Sequence, residues 1–599
     1  MNFLVLIKTG LLIGFVISNS MARNSDDHPG KTEDNQLFQV DSIVYQIGDA
    51  FDDANRLGEN INNDNLVLKT EQFFYKLGNL LHIKTRPSCI NKLILFKQGD
   101  MVSDKDLRDS ERLLRTQNFI NAASVTRKTT PNGKNIIHIK TADIFSTIPM
   151  LSIPRFSFSM DDIDLNYGIG LSEYNIMGYG QELKGGYSHT INRDYMYVTY
   201  INPYFLIPHN RMTLWYSNES DGSQILLRFE KPYLTLLDRW KYFILYNNRE
   251  YTKWLFDSGN NMPQWSRVDS TEDSETFFPR YANLSGYYER VREDSLILSA
   301  ATSFGHKLVH SWGAGFRYIE RQHNPDDTHL PVFKTDDGVY NTLDSSVFMG
   351  LEEYKYYLVS VGVTLKWYDY IKMQNYNRVK WQEDLFQGFK INTSVHKDIQ
   401  SKGKQAGDWL VEHLITIATG VHKTAYFKLN CYSHYYYSNS LDKIYRGESK
   451  NTLDAFIREG DYFSTRIKGN VIFLFRQSST EQLQMGGALG FAAVPDFYFT
   501  GQAKYLLDIE QRYVLPGRFE TMTLAPVLAV YCQAGQVYSH ISHTDFSELN
   551  YAAGFGLRTV KTKSAFGSAT HLNIGWPLNG KAARGIKGFR VEVVAKLTL

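Results

Sequence analysis

The chain has 599 residues and a formal net charge of +2 at pH 7, from 65 basic and 63 acidic side chains. That balance gives no electrostatic reason to bind a polyanion, so nucleic acid is set aside as a partner. Aromatic residues make up 14% of the chain, with 39 Tyr and 36 Phe against only 16 Pro. This composition favours long runs of hydrogen-bonded strand.

At the N-terminus, Lys8 precedes an apolar stretch at 11–17, and Ser20 and Ala22 follow as small residues. The order basic, apolar, small describes a secretory signal peptide over residues 1–22, cut after Ala22, with an uncleaved anchor as the alternative. Residues 23–37 are polar and are expected to form a flexible segment. No later apolar run approaches the roughly 20 residues of a membrane helix. Any part that enters a bilayer must then be a closed barrel, because lipid cannot hydrogen-bond an open sheet edge. Cys89, Cys431 and Cys532 are too few and too widely spaced for a disulfide framework or metal cluster, and are expected to be unpaired.

Residues 38–142 predict a small α+β domain. A strand-like stretch at 38–47 is followed by Asp49, Asp52 and Asp53, whose spacing lacks the calcium-loop pattern and fits a solvated turn. Residues 72–84 read as extended, and 90–96 as a short helix ending near Gly99. A second helix is capped by Ser103, with Asp106 three positions on. Leu107, Leu113 and Leu114 supply its buried side, and Lys105, Arg108 and Arg112 its wet side. Residues 123–128 and 135–140 then form a hairpin around Pro131-Asn132-Gly133. His82 has no neighbouring metal ligand and Ser110 no nucleophile elbow, so both are read as structural.

After a linker at 143–156, extended segments recur to the C-terminus. Ile225, Leu227 and Phe229 alternate with more polar neighbours, and Met212, Leu214 and Tyr216 form a similar row. The last strand is the clearest. Phe589, Val591, Val593, Ala595, Leu597 and Leu599 share one side; Arg590, Glu592, Lys596 and Thr598 share the other, with Val594 as the exception. Period-two alternation of this kind belongs to a strand with different solvents on its faces. At about 9–11 residues per crossing, residues 157–599 hold about sixteen strands with their loops. A large soluble β protein is the alternative. The Asp-, Asn- and Thr-rich stretch 319–345 is read as an exposed loop.

The run Leu95-Phe96-Lys97-Gln98-Gly99-Asp100, with residues 107–114, Asn118-Phe119 and the preceding 78–86, resembles a single POTRA domain. POTRA domains are the periplasmic polypeptide-transport modules of the Omp85 superfamily, which includes BamA/TamA-like and D15-like proteins. Asp164, Leu165, Asn166, Gly168 and Gly170, then Asn175, Gly178 and Gly180, then Tyr200, Pro203 and Tyr204, resemble the start of that superfamily's barrel. Gly486, Gly487, Leu489, Gly490 and Phe491 resemble the approach to its lumen-entering loop, and Glu510 and Arg512 its wall strand. The family loop carries Arg-Gly-Phe or Arg-Gly-Tyr, whose arginine binds acidic groups on the inner wall. Leu489 stands in that place and cannot make a charge-assisted contact. Leu599 also replaces the family's usual terminal aromatic residue.

The resemblance implies a bacterial outer-membrane protein with a periplasmic N-terminal domain, acting as an insertion or assembly factor. Its partners would be unfolded outer-membrane or secreted polypeptide clients, periplasmic accessory proteins and outer-membrane lipid. The domain would offer strand edges to a client. A seam between a first-strand region (Gly168, Gly170, Asn175, Gly178, Gly180) and the last strand (Phe589, Val591, Val593, Ala595, Leu597, Leu599) would admit it to lipid. Two alternatives are a two-partner-type secretion pore and a structural or lipid-handling barrel without insertase activity. No catalytic residue, metal or cofactor is implied, and no nucleophile-elbow, zinc-helix or phosphate-cradle motif points to an enzyme.

Overall fold

The computed structural model describes residues 36–50, 73, 76, 79–80 and 82–596, with breaks. The longer breaks are 257–285, 324–331, 342–352 and 400–408. The shorter ones are 159–162, 190–192, 236–237, 306–307, 336–337, 378, 380–381, 422–423, 439–442, 476–480, 496–497, 517–523, 562–568 and 580–587. The signal peptide, nearly all of the polar segment after it, Asp52, Asp53, Leu597 and Leu599 lie outside the described residues.

The small domain runs β1 (Phe38–Gln39), β2 (Ser42–Gly48), α1 (Pro87–Leu93), β3 (Met101–Val102), α2 (Asp104–Arg115), β4 (Ile120–Thr129) and β5 (Asn135–Asp143). Strand β5 is central, antiparallel to β4 and parallel to β2. A parallel pair requires a crossover, which the helical segment between β2 and β4 supplies. Ile90, Leu93 and Phe96 pack with Leu107 and Leu114 against Ile137 and Ile139 of the sheet. Helix α2 starts where expected: Ser103 Oγ accepts the Asp106 N–H, and the Asp106 carboxylate accepts the Ser103 N–H at 2.8 Å. Helix α1 begins at Pro87, three residues before the expected start, because proline is preorganised for the first helical position.

Two expectations fail here. Phe73, Lys76, Asn79 and Leu80 are helical, where residues 72–84 read as extended; the apolar positions 73, 77 and 80 in fact repeat at helical spacing. Arg112 is buried, not wet, with 7% of its surface exposed. Arg112 meets the second domain, whereas Arg108 is exposed as expected.

That domain is one antiparallel wall. It opens with β6 (Thr147–Phe158), β7 (Ile163–Glu173), β8 (Glu182–His189), β9 (Asp194–Asn202), β10 (Arg211–Glu219), β11 (Gly222–Lys231) and β12 (Trp240–Phe256). It continues through β13 (Gly286–Phe304), β14 (Val309–His323), β15 (Val332–Thr335), β16 (Gly338–Asn341), β17 (Tyr354–Gln374), β18 (Gln382–Asp398) and β19 (Trp409–Val421). Then follow β20 (Ala425–Ser438), β21 (Lys443–Glu459), β22 (Phe463–Phe475), β23 (Leu483–Met485), β24 (Phe499–Gly501), β25 (Ala503–Val514) and β26 (Leu524–Tyr538). The last three are β27 (Asn550–Lys561), β28 (Ala569–Pro577) and β29 (Arg590–Lys596).

Hydrogen bonding runs from neighbour to neighbour and returns from β29 to β6, so the sheet closes on itself. Of the 22 strands in that ring, β15 and β16 form a side hairpin, since β14 pairs directly with β17. The wall therefore has 20 described strands, and the expectation of sixteen is corrected. Tight turns such as Glu219 to Gly222 and Glu459 to Phe463 use little chain, leaving more of it for strand. The first of these strands starts at Thr147, inside the stretch expected to be linker.

Side chains sort by parity. On β17, Val359, Val361 and Val363 face outward, whereas Tyr356, Leu358, Thr364 and Lys366 are buried inside the ring. The same division gives Val591 and Val593 one face of β29, and buried Arg590, Glu592 and Val594 the other. Val361 has 65% of its surface exposed, a solvent assignment open to test. Val361→Arg is expected to cost about 2–4 kcal/mol of folding stability in phospholipid vesicles, as for a cation on a lipid-facing wall. Ser360→Arg, on the lumenal face of the same strand, should cost far less. Urea titrations of tryptophan fluorescence on the folded protein compare the two.

Candidate functional site

Among the described residues, the closing contact between β6 and β29 has four registered pairs, from Val591↔Phe158 to Val594↔Arg155. By contrast, β28 and β29 remain in register from Ala569↔Lys596 to Gly575↔Arg590. Strand β6 contains Pro149 and Pro154, neither of which has an N–H to donate, and its register with β7 shifts between Ser152 and Arg155. Sequence thus weakens this one junction from the β6 side.

Gly168 and Gly170, expected in the first strand, lie one strand further on, in β7. Gly170 faces Gly186 of β8. Phe589 directly precedes β29, and Ala595 is within it.

Asn175, Gly178 and Gly180 belong to neither strand of the seam. They form the turn between β7 and β8, and that turn is docked on the small domain. Asn175 Nδ2 donates to Thr85 Oγ1 at 2.9 Å, and its Oδ1 accepts the Gly180 N–H at 2.6 Å. The Arg86 N–H donates to the Gly178 carbonyl at 2.9 Å, while the Arg86 guanidinium stacks over the Tyr179 ring. Both glycines have φ in the left-handed region, and both approach the domain too closely for a side chain. A Cβ on Gly178 would lie 2.4 Å from the Lys84 carbonyl, and one on Gly180 would lie 2.6 Å from the Phe119 ring. These glycines are required for docking, not for strand flexibility.

His82, read as structural, supports the same contact. Its Nε2 lies 3.1 Å from Asp143 Oδ2, which also accepts the Thr85 N–H at 2.7 Å. Helix α2 reaches the opposite side of the barrel mouth. Arg115 forms a two-pronged contact with Asp384 of β18, at 2.8 and 2.9 Å, and also binds Glu111. Lys372 of β17 donates to Glu111 at 3.1 Å, Arg112 stacks on Tyr370, and Arg112 Nη2 donates to the Leu234 carbonyl. Burial works to raise the Glu111 carboxyl, but Arg115, the Val125 N–H and Lys372 outweigh it and hold it below its ordinary range. This bridge is complete at neutral pH and weakens only as acid protonates Glu111 through that depressed value.

The loop that resembles the lumen-entering element does pack against the inner wall. Strands β23 and β24 pair at its base. Met485, Phe491, Ala493, Val494 and Phe499 pack with wall residues Leu506, Val537 and Ala552. Gln533 Oε1 accepts the Ala492 N–H at 2.9 Å, and its Nε2 donates to the Gly490 carbonyl at 3.2 Å. Lys504 Nζ donates to the carbonyls of Gln484 and Leu489 at 2.9 and 3.1 Å. The charge relation expected from the family is inverted: the wall supplies the cation, and the loop supplies carbonyl oxygens. Leu489 itself is 39% exposed.

Glu510, which a loop arginine could have met, is already occupied. Its carboxylate accepts from Arg512 Nε at 2.5 Å and from Arg558 Nη2 of β27 at 2.6 Å. Arg558 continues to Asn573 of β28 at 2.7 Å, and Asn573 reaches Glu592 of β29 at 3.5 Å. Glu510 and Arg512 are thus brought together as expected. Arg558, Asn573 and Lys504 were missed in sequence, although all three share the lumenal parity of their strands. Among the described residues, no group of three His, Cys, Asp or Glu is placed to hold a metal ion, and no helix is long and apolar enough to cross a membrane.

No family model and no curated protein matches the chain. Among solved structures, CdiB from Acinetobacter baumannii aligns over 94% of this chain and 74% of its own, at 11% identity and a TM-score of 0.40. CdiB from Escherichia coli aligns over 96% and 93%, at 10% identity and 0.36. BamA from Haemophilus ducreyi lacking POTRA domains 1–3 aligns over 93% and 100%, at 10% and 0.33.

Two outcomes test this geometry. Cys89 of α1 lies beneath the docked turn, 3.5 Å from the Tyr204 hydroxyl, and burial pushes its thiol up to about 11 despite that hydrogen bond. In a Cys431→Ser, Cys532→Ser background, maleimide at pH 7.5 should label Cys89 slowly. Gly180→Leu should accelerate labelling roughly tenfold or more by lifting the turn. Separately, Arg558→Met should lower stability by about 3 kcal/mol by stripping Glu510 of a buried partner, and adding Glu510→Gln should restore part of the loss. Urea midpoints measure both.

Proposed function

We propose that the chain is an Omp85-type outer-membrane insertion or assembly factor, with a POTRA-like domain in the periplasm and polypeptide clients as its substrates. The observation that carries this reading is the seam: a closed sheet whose last strand meets its first, among the described residues, through four registered pairs that stop beside Pro154. A sheet edge in lipid has no partner but another strand. An incoming client strand can exchange with this contact, where Pro154 withholds a donor and β6 slips register with β7, at less cost than with a regular ladder. The small domain offers a second edge, because β2 and β4 are the outer strands of its sheet and can accept a client by strand addition. Folding of the client in lipid supplies the driving force, without nucleotide.

A second reading is secretion through the lumen, favoured by the width of the ring: barrels of 16–18 strands already leave an aqueous channel. Placement of α2 against the mouth at Asp384 and Tyr370 opposes it, because a passing chain would have to displace that contact.

A disulfide across the seam separates the two. Phe156→Cys and Val593→Cys stand directly opposite, in a background with Cys431 and Cys532 replaced by Ser. Oxidation should slow insertion of an unfolded barrel client into proteoliposomes roughly tenfold, and reduction should restore it. Undiminished insertion by the oxidised protein would exclude the seam route. Delivery of a soluble client into the vesicle interior, unaffected by oxidation, would establish secretion in its place.

A further inference from the structure

Near the domain-facing end of the lumen, three lysines converge with Asp238 as their one acidic neighbour among the described residues. Lys366 of β17 and Lys390 of β18 stand directly opposite each other. Like charges in that relation repel and destabilise a strand pair. Lys241 of β12 joins them from across β13 and β14, where Ala301, Ser303, Ser311 and Gly313 leave room above the wall. Both Lys241 and Lys390 repel the Lys366 ammonium, and Asp238 alone attracts it. Asp238 is itself engaged, accepting the backbone N–H groups of Leu234 and Thr235 at 2.5 and 3.0 Å.

The turn between β11 and β12 folds Tyr233 into this group. Its ring centroid lies 3.7 Å from Lys366 Nζ and 5.2 Å from Lys241 Nζ. The ring face relieves part of the ammonium charge. It leaves the hydrogen-bonding capacity untouched: Lys366 is 2% exposed, and its Nζ has no hydrogen-bond partner. The Tyr233 hydroxyl is likewise buried without one. An ammonium and a phenol buried side by side without hydrogen-bond partners carry a desolvation cost that the ring face and Asp238 offset only in part.

We propose that Lys241, Lys366, Lys390 and Tyr233 form a lumenal site for a compact, doubly charged oxyanion of the phosphate type. Three lysines and Asp238 leave two positive charges, which a phosphate monoester or inorganic phosphate neutralises. Lysine ammoniums are point charges that can meet a tetrahedral anion from several directions, whereas a planar carboxylate suits the forked guanidinium of arginine. The phenol hydroxyl completes the donor set. Through Leu234, one residue away, the turn is also bonded to Arg112 of α2, so the site borders the docked domain. This assignment is independent of the insertion reading.

The test uses the full chain in detergent, with inorganic phosphate as the probe and phosphatidic acid in mixed micelles as a second arm, each titrated calorimetrically. Inorganic phosphate should bind saturably. Lys366→Met should weaken it roughly tenfold or more, Lys366→Arg should retain most binding, and Tyr233→Phe should weaken it only severalfold. Lys241→Met and Lys390→Met, at less buried positions, should also weaken binding; they carry the test if Lys366→Met fails to fold. Binding of phosphatidic acid alone, lost on the same substitutions, would identify a lipid headgroup as the source of the oxyanion. Absence of saturable binding in both arms, or equal binding by wild type and folded lysine variants, would overturn the site.

Discussion

The large domain rests on one constraint: among the described residues, the wall closes on itself and leaves no strand edge without a partner, as a wall facing lipid requires. A strand exposed to hydrocarbon cannot leave its N–H and C=O groups open, so the sheet must return to its own first strand. That requirement makes the ring compulsory but leaves the strength of its last junction adjustable. In this chain the adjustment is visible in β6, where Pro149 and Pro154 subtract donors and the register with β7 slips. Strand β29 is regular in its pairing with β28, so the weakness is one-sided.

Closing a wide ring creates a second problem, an interior that must be polar yet ordered. The wall answers it with buried charge pairs chained across strands. Glu510, Arg512, Arg558 and Asn573 link β25, β27 and β28 and reach Glu592 on the last strand. Burying such charges is expensive unless each is paired, so the network specifies register more than it adds stability. It also explains how the lumenal loop can lack an arginine. With Glu510 saturated from the wall, a loop guanidinium would have no carboxylate to meet there. Lys504 and Gln533 hold the loop through its backbone instead, a contact that tolerates Leu489.

The strand alternation, the Ser103 cap and the turn at Asn132-Gly133 were all legible in the sequence because each depends on residues close together in the chain. Phe589 to Val593 announced two different solvents without any structural help. What could not be read was anything settled by distant partners. Arg112 looked wet because its helix is amphipathic, and nothing local says that Tyr370 and Leu234 cover it. Gly178 and Gly180 looked like strand-weakening glycines, but their reasons lie far earlier in the chain, at Lys84 and Phe119 respectively. Strand number failed differently: loop length sets it, and loop length has no periodic signature. Lys504 and Arg558 carried only their parity, which became informative once Glu510 was placed on the inner face.

The docked turn and the seam are mechanically close. Strand β6 begins at Thr147, four residues after β5 ends at Asp143, and Asp143 is the acceptor for both His82 and Thr85. The Tyr174 N–H donates to the Ser146 carbonyl at 3.1 Å, tying the end of β7 to the start of β6. Arg86 and Asn175 then fasten the β7–β8 turn to the domain. The first wall strands and the small domain are thereby joined on one side of the seam, by Arg86 to Gly178 and Asn175 to Thr85, whereas the described pairings of β29 are with β28 and β6. A force that tilts the domain acts directly on β6 and only weakly on β29. Tilting of the domain would therefore load the β6–β29 junction first.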